Sequence, residues 1–138
     1  MTTAIRYFTK SKKGNTQKLA DAVSKATGMP ALDVSVDLAE NVDRLFLINA
    51  MYAANIDAQI KDFLQRNRNR IGEVVNLNTS ASGKSTRDAV KQVTDTLGIR
   101  LSEKEFHCAA SWIFLNKGLP SEQDLAAAGA FAAAMMNE

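Results

Sequence analysis

The chain has 138 residues, 46% of them hydrophobic, and a formal net charge of +2. That allows one core and a single domain, residues 1–138, and the near-balanced charge calls for neither nucleic acid nor a membrane surface as partner. A lone cysteine, Cys108, excludes an internal disulfide, and the lack of a long apolar run or signal-peptide core makes a cytoplasmic location the expectation.

From the N-terminus, Ala4 to Phe8 is an apolar, strand-like run within a first strand expected at about residues 3–9. It breaks into Thr9-Lys10-Ser11-Lys12-Lys13-Gly14-Asn15-Thr16, a hydroxyl-rich loop with a glycine, and a helix follows at once. Such a turn favours phosphate, because the first N–H groups of a helix lack intrahelical partners and the helix dipole is positive at that end. Thr9, Ser11 and Thr16 add hydroxyl donors, and Gly14 lets the backbone approach an anion. The plainer alternative is a tight turn with a capped helix.

The first helix carries Leu19, Ala22, Val23 and Ala26 on one face and ends at Gly28. A strand follows at about 31–36, where Leu32-Asp33-Val34-Ser35-Val36-Asp37 alternates as an edge strand should. Asp37 to Val42 leaves room only for a shortened second helix. The third strand, about 44–49, contains Leu45-Phe46-Leu47-Ile48, continuously apolar like a strand covered on both faces. After the loop Asn49-Ala50-Met51-Tyr52-Ala53-Ala54-Asn55, Ile56, Ile60, Phe63 and Leu64 mark a helix. It runs out in Arg66, Arg68 and Arg70, expected to be a solvated basic end.

A fourth strand at about 73–79 leads to Thr79-Ser80-Ala81-Ser82-Gly83. The helix after it is expected to start with a capping box of Ser85 and Asp88, to bury Thr86, Val90, Val93 and Leu97, and to stop at Gly98. The fifth strand, about 104–110, alternates through Glu105-Phe106-His107-Cys108. His107 is expected at the surface and Cys108 as a small buried residue. Trp112 and Phe114 follow on the same rim, either as core packing or as pocket wall. After Pro120, Ser121 and Asp124 form a second capping box for an alanine-rich final helix.

This order predicts an α/β fold: a three-layer, doubly wound, five-stranded parallel sheet in the order 2-1-3-4-5. Ligands in such sheets bind beyond the carboxyl ends of the strands, where the winding reverses. Here that is between strands 1 and 3. The three loops named above meet there, offering a phosphate cradle, an aromatic stacking candidate in Tyr52 and a small-residue backbone edge. Other phosphate motifs are absent. Gly83-Lys84-Ser85 lacks both the place and the leading glycine of a Walker loop, and no Gly-x-Gly-x-x-Gly occurs. A phosphorelay receiver would need acidic residues where Thr9-Lys10 and Asn49-Ala50 stand.

With Thr9, Ser11, Gly14, Asn15 and Thr16 in the first loop, Ala50-Met51-Tyr52 in the second and Thr79 to Gly83 in the third, the chain resembles the short-chain flavodoxins. The resemblance implies an FMN cofactor. Thr9, Ser11, Gly14, Asn15 and Thr16 would hold the ribityl phosphate, with Lys12 and Lys13 as unusual cations beside it. Met51, Tyr52, Ala53, Ala54 and Asn55, with Thr79, Ser80, Ala81, Ser82 and Gly83, would flank the isoalloxazine. It implies an electron carrier or a small flavin-dependent reductase, monomeric or homodimeric, with a redox partner or small-molecule acceptor. The alternative is a non-redox module of the same fold that binds another phosphate-bearing ligand or none. The family commonly places in its middle loop a glycine whose peptide turns toward the flavin on reduction. With alanines there, a positive φ costs about 1–2 kcal/mol, which points to little one-electron radical and to two-electron chemistry.

Overall fold

The computed structural model describes residues 1–10, 14–53, 55–111 and 117–138. Its strands are β1 (Thr3–Tyr7), β2 (Ala31–Asp33), β3 (Val42–Ala50), β4 (Ile71–Ser80), β5 (Arg100–Leu101) and β6 (Phe106–Ala109). Its α-helices are α1 (Asn15–Thr27), α2 (Ala58–Arg66), α3 (Arg87–Leu97) and α4 (Glu122–Met136). The sheet runs β2-β1-β3-β4-β5, with β6 also paired to β4, and every pairing between these strands is parallel. The expected doubly wound α/β order is therefore present.

Each face of the sheet has its own core. Leu19, Ala20 and Val23 of α1 and Ala128, Ala132 and Met135 of α4 pack on Ile5, Phe46, Ile48, Val75 and Leu77. On the opposite face, Ile60, Phe63 and Leu64 of α2 and Val90 of α3 pack on Leu45, Leu47 and Val74. β3 feeds both clusters, which is why its sequence shows no polar alternation. Ala22 and Ala26, expected on the sheet-facing side of α1, instead form the seam with α4. A Cβ on Gly129 would stand 2.9 Å from Ala26 Cβ.

Three sequence expectations are corrected. First, β2 stops at Asp33 instead of reaching residue 36. The Asp33 carboxylate accepts the Ser35 N–H at 2.8 Å and its carbonyl accepts the Val36 N–H at 3.0 Å, a local turn that competes with the ladder. Second, the connection over residues 34–41 contains no helix. Its backbone is satisfied by side chains from elsewhere. Arg6 Nε donates to Val36 O at 2.8 Å, Arg66 to Val34 O at 2.8 Å and Arg70 to Leu38 O at 3.1 Å. Asn67 accepts the Leu38 N–H at 3.0 Å. Arg66 and Arg70 are exposed, as a solvated basic end should be, and in addition tie this crossover down. Third, the fifth strand is split. Leu101 pairs Val74 and Phe106 pairs Leu77, so the edge chain takes five residues where β4 takes three. The surplus loops out between two short pieces, and Ser102 N–H still reaches Val74 O at 2.8 Å.

The caps divide in the same way. Ser121 and Asp124 form the expected capping box on α4, while Gly28 and Gly98 terminate α1 and α3 in the left-handed region. The Ser85–Asp88 box does not form: α3 starts one residue later, with Thr86 as its N-cap. Ser85 Oγ accepts the Arg87 N–H at 2.9 Å, and the Thr86 hydroxyl is committed to a buried asparagine network.

Candidate functional site

The carboxyl ends of β1, β3, β4 and β6 open into one cleft of about 790 Å³. From the first loop it is lined by Thr9, Lys10, Gly14, Asn15 and Thr16, from the second by Ala50, Met51, Tyr52 and Ala53. Thr79, Ser80, Ala81 and Ser82 complete it with Ala110 and Ser111. The structure thus brings together most of the residues singled out in the three loops. Asn55 and Gly83 do not line it. Asn55 instead pairs with Tyr52 across the tip of the second loop, through N–H···O bonds of 2.7 and 2.9 Å. Gly83, at φ +78°, shapes the turn behind the third loop. Ser11, Lys12, Lys13, Ala54, Trp112 and Phe114 lie outside the described residues.

Lys10, Ala50, Ala110 and Ser111 also line the cleft; Lys10 and Ala50 were noted in their loops without being assigned to the ligand, and Ala110 and Ser111 were not noted at all. Lys10 sits in the phosphate loop, so its signal was present. Ala110 and Ser111 come from the turn after β6 and carry no pattern of their own. They reach the cleft because the Ala110 N–H bonds to Ser80 O at 2.9 Å and the Asn15 amide donates to both Ser111 O and Oγ at 3.0 Å.

The loops are tied by their own polar groups. Met51 N–H donates to Thr79 O at 3.1 Å, joining the second loop to the third. Thr16 and Thr79 share a hydroxyl–hydroxyl bond of 3.1 Å, joining the first to the third. Only one proton sits in that bond, so the pair keeps a second hydroxyl proton to offer a ligand. At the third loop, Ser80 Oγ donates to Lys84 O at 2.9 Å and Ser82 Oγ accepts the Lys84 N–H at 3.3 Å. These hydroxyls brace the loop.

Beneath the third loop lies a buried amide cluster. Asn49 donates to Asn76 Oδ1 at 2.7 Å and accepts the Thr86 hydroxyl at 2.7 Å, while Asn78 Oδ1 accepts the Thr86 N–H at 3.0 Å. All four residues are at most 2% exposed. A satisfied network at this depth fixes a single arrangement of its members. It holds the ends of β3 and β4 where the second and third loops begin.

Helix α1 opens on Gly14 as N-cap, with no side-chain cap bond and no acidic residue in its first turn. Its N-terminal charge is therefore not neutralised by its own carboxylates, as an anion site requires. On the second loop, Lys10 Nζ stands 4.3 Å from the centre of the Tyr52 ring and 3.8 Å from Asp57 Oδ2. Burial is the main reason the Tyr52 phenol is pushed above its usual range; the Lys10 N–H opposes that rise and the Asp57 charge adds to it. Cys108 is 8% exposed and its thiol is pushed up to about 11 by burial, with Asp124 adding to the rise. That makes it a packed residue, not a nucleophile. His107 is exposed, with Nδ1 2.7 Å from Gly83 O; a carbonyl only accepts, so Nδ1 carries the proton. Among the described residues, no cluster of metal-ligating side chains occurs and no helix is long and apolar enough to cross a membrane.

No protein-family model matches the chain, and no curated protein sequence does. Solved structures do. A flavodoxin from the domain Archaea superposes with a TM-score of 0.77 at 11% identity, covering 99% of this chain and 97% of that one. Flavodoxin 1 from Bacillus cereus gives 0.71 at 13% identity, with 99% and 97% covered. The fold is flavodoxin-like. A third structure with this fold, the NAD(P)H:quinone oxidoreductase from Methanothermobacter marburgensis, gives 0.62 at 12% identity over 96% of this chain and 94% of that one. At such identities the likeness is one of fold, and the chemistry must be argued from the cleft.

Proposed function

We propose that the chain is an FMN-binding redox protein, an electron carrier or a small flavin-dependent reductase. The observation that carries this reading is the cleft at the winding reversal, lined by three loops, with the N-terminus of α1, which has no side-chain cap bond, at one end. Its volume of about 790 Å³ lies in the range of pockets that bury a small organic ligand, roughly 300–1,000 Å³. Ala50, Ala81 and Ala110 give it small side chains, against which a flat ring system can lie.

FMN, when bound, supplies the electron or hydride chemistry. The protein's part is to bind and orient it. Gly14, Asn15, Thr16 and Thr9, with Ser11, Lys12 and Lys13, are assigned to the phosphate. Met51, Tyr52 and Ala53, with Thr79 to Ser82, are assigned to the ring, while Asn55 and Gly83 shape the loops behind it. Flavodoxins and a quinone oxidoreductase among the structures of like fold support a flavin over other flat phosphorylated ligands.

A second reading keeps the fold without redox function, as a module for another phosphate-bearing ligand or none. The cation seated over Tyr52 favours it, because that ring is the stacking candidate. Flavin fluorescence titration separates the two. The FMN reading expects binding of FMN well above that of riboflavin, weakened in the Ser11→Ala, Thr16→Ala double variant. Equal affinity for both flavins would remove the phosphate assignment, and no binding of either would leave the second reading standing.

A further inference from the structure

Tyr52 is half-buried and packs against the core cluster on the α2 and α3 side of the sheet. Lys10 Nζ covers its ring at 4.3 Å from the centre, within cation–π range. The same ammonium is 3.8 Å from Asp57 Oδ2. Asp57 is itself fixed as the N-cap of α2, where its side chain accepts the Gln59 N–H at 2.9 Å. The Lys10 N–H also approaches the Tyr52 hydroxyl at 3.4 Å. Backbone, ring and carboxylate therefore act together to seat this lysine, and Lys10 and Tyr52 both line the cleft.

Resting on the FMN reading, we infer that Lys10 is a resident competitor for the Tyr52 ring, and that a planar ligand binds by displacing its ammonium. A ring packed on the core and covered by a cation offers a flavin its face only when the cation leaves. The side chain is 59% exposed, so the contact is a weak one and the displacement is a tax on affinity, not a block. Asp57 keeps the displaced ammonium near the rim. The tax falls on the ring system alone, and it is therefore the same for FMN and for riboflavin. A lysine that served the phosphate would behave in the opposite way, helping FMN and leaving riboflavin unaffected.

Two measurements on the full chain test this. In the flavin-free protein, the Lys10 ε-methylene protons should resonate upfield through the Tyr52 ring current, lose that shift in Tyr52→Leu, and lose it on saturation with FMN. In fluorescence titrations, Lys10→Ala should bind FMN and riboflavin each about two- to five-fold more tightly, the equilibrium equivalent of an exposed cation–π contact. Persistence of the upfield shift in the FMN-saturated protein would overturn the inference alone, as would a Lys10→Ala protein that binds FMN no tighter. A wild-type protein that binds neither flavin would remove the FMN reading and the inference with it.

Discussion

Ala53 holds φ +50° at the tip of the second loop, a conformation that costs a residue with a Cβ about 1–2 kcal/mol. The absence of glycine from Met51–Asn55 pointed to such a cost and assigned it to a loop conformation adopted on flavin reduction. The structure places that cost at Ala53, the first residue between the paired Tyr52 and Asn55. Ala53→Gly relieves that cost but gives the unfolded chain more freedom, which offsets about half of it. The variant should therefore range from neutral to about 1 kcal/mol more stable in urea denaturation. Gly28→Ala, at φ +73° with nothing within 4 Å of an added Cβ, should lose about 1 kcal/mol from backbone conformation alone. Loss of stability in Ala53→Gly would show that the second loop does not carry this strain.

At the scale of elements, the connection from β2 to β3 is the departure with the clearest cause. Val34, Leu38 and Val42 are buried in the core that a crossover helix would otherwise help to cover. The sequence pointed to a short helix over Asp37 to Val42 because a doubly wound order calls for a crossover between the second and third strands. What decides against it is distant in sequence: Arg6, Arg66, Asn67 and Arg70 satisfy the backbone of a turn-rich path. Asn67 is the centre of this arrangement, 1% exposed, also donating to Phe63 O at 2.9 Å and Asp37 Oδ1 at 3.1 Å. Hydrogen bonds from Asn67 and then Arg66 hold the Asp37 carboxyl below its usual range. Asn67→Ala leaves the Leu38 N–H unpaired beneath the surface, and about 2–3 kcal/mol should be lost. Arg68→Ala, at an exposed position, should stay within about 0.5 kcal/mol. Equal denaturation midpoints for the two variants would mean that Asn67 does not hold the crossover. Local signals located the strands, the αL caps and the Ser121 box. The failed Ser85 box shows their limit, because Thr86 answers to Asn49, Asn76 and Asn78 across the sheet.

For the whole molecule, the strand order was legible because the apolar run of β3 and the two edge patterns placed the centre and the margins of the sheet. The cleft was legible through the topological rule that assigns ligands to the winding reversal. Its fourth wall, Ala110 and Ser111, was not, because plain small residues acquire a role only through the loops they meet. The two cores differ in how far apart along the chain their parts lie. α1 shares its face of the sheet with α4, and Ala26 meets the helix backbone at Gly129. A chain ending at Leu119 should therefore bind a hydrophobic dye such as ANS and lose its cooperative thermal transition; retention of both tight packing and a sharp transition would refute this dependence. Time enters through the same pairing. At a synthesis rate of about 5–20 residues per second, α4 leaves the ribosome roughly 5–20 s after α1. During that interval Leu19 and Val23 have no helix beside them, and the nascent protein depends on other cover for one side of its sheet.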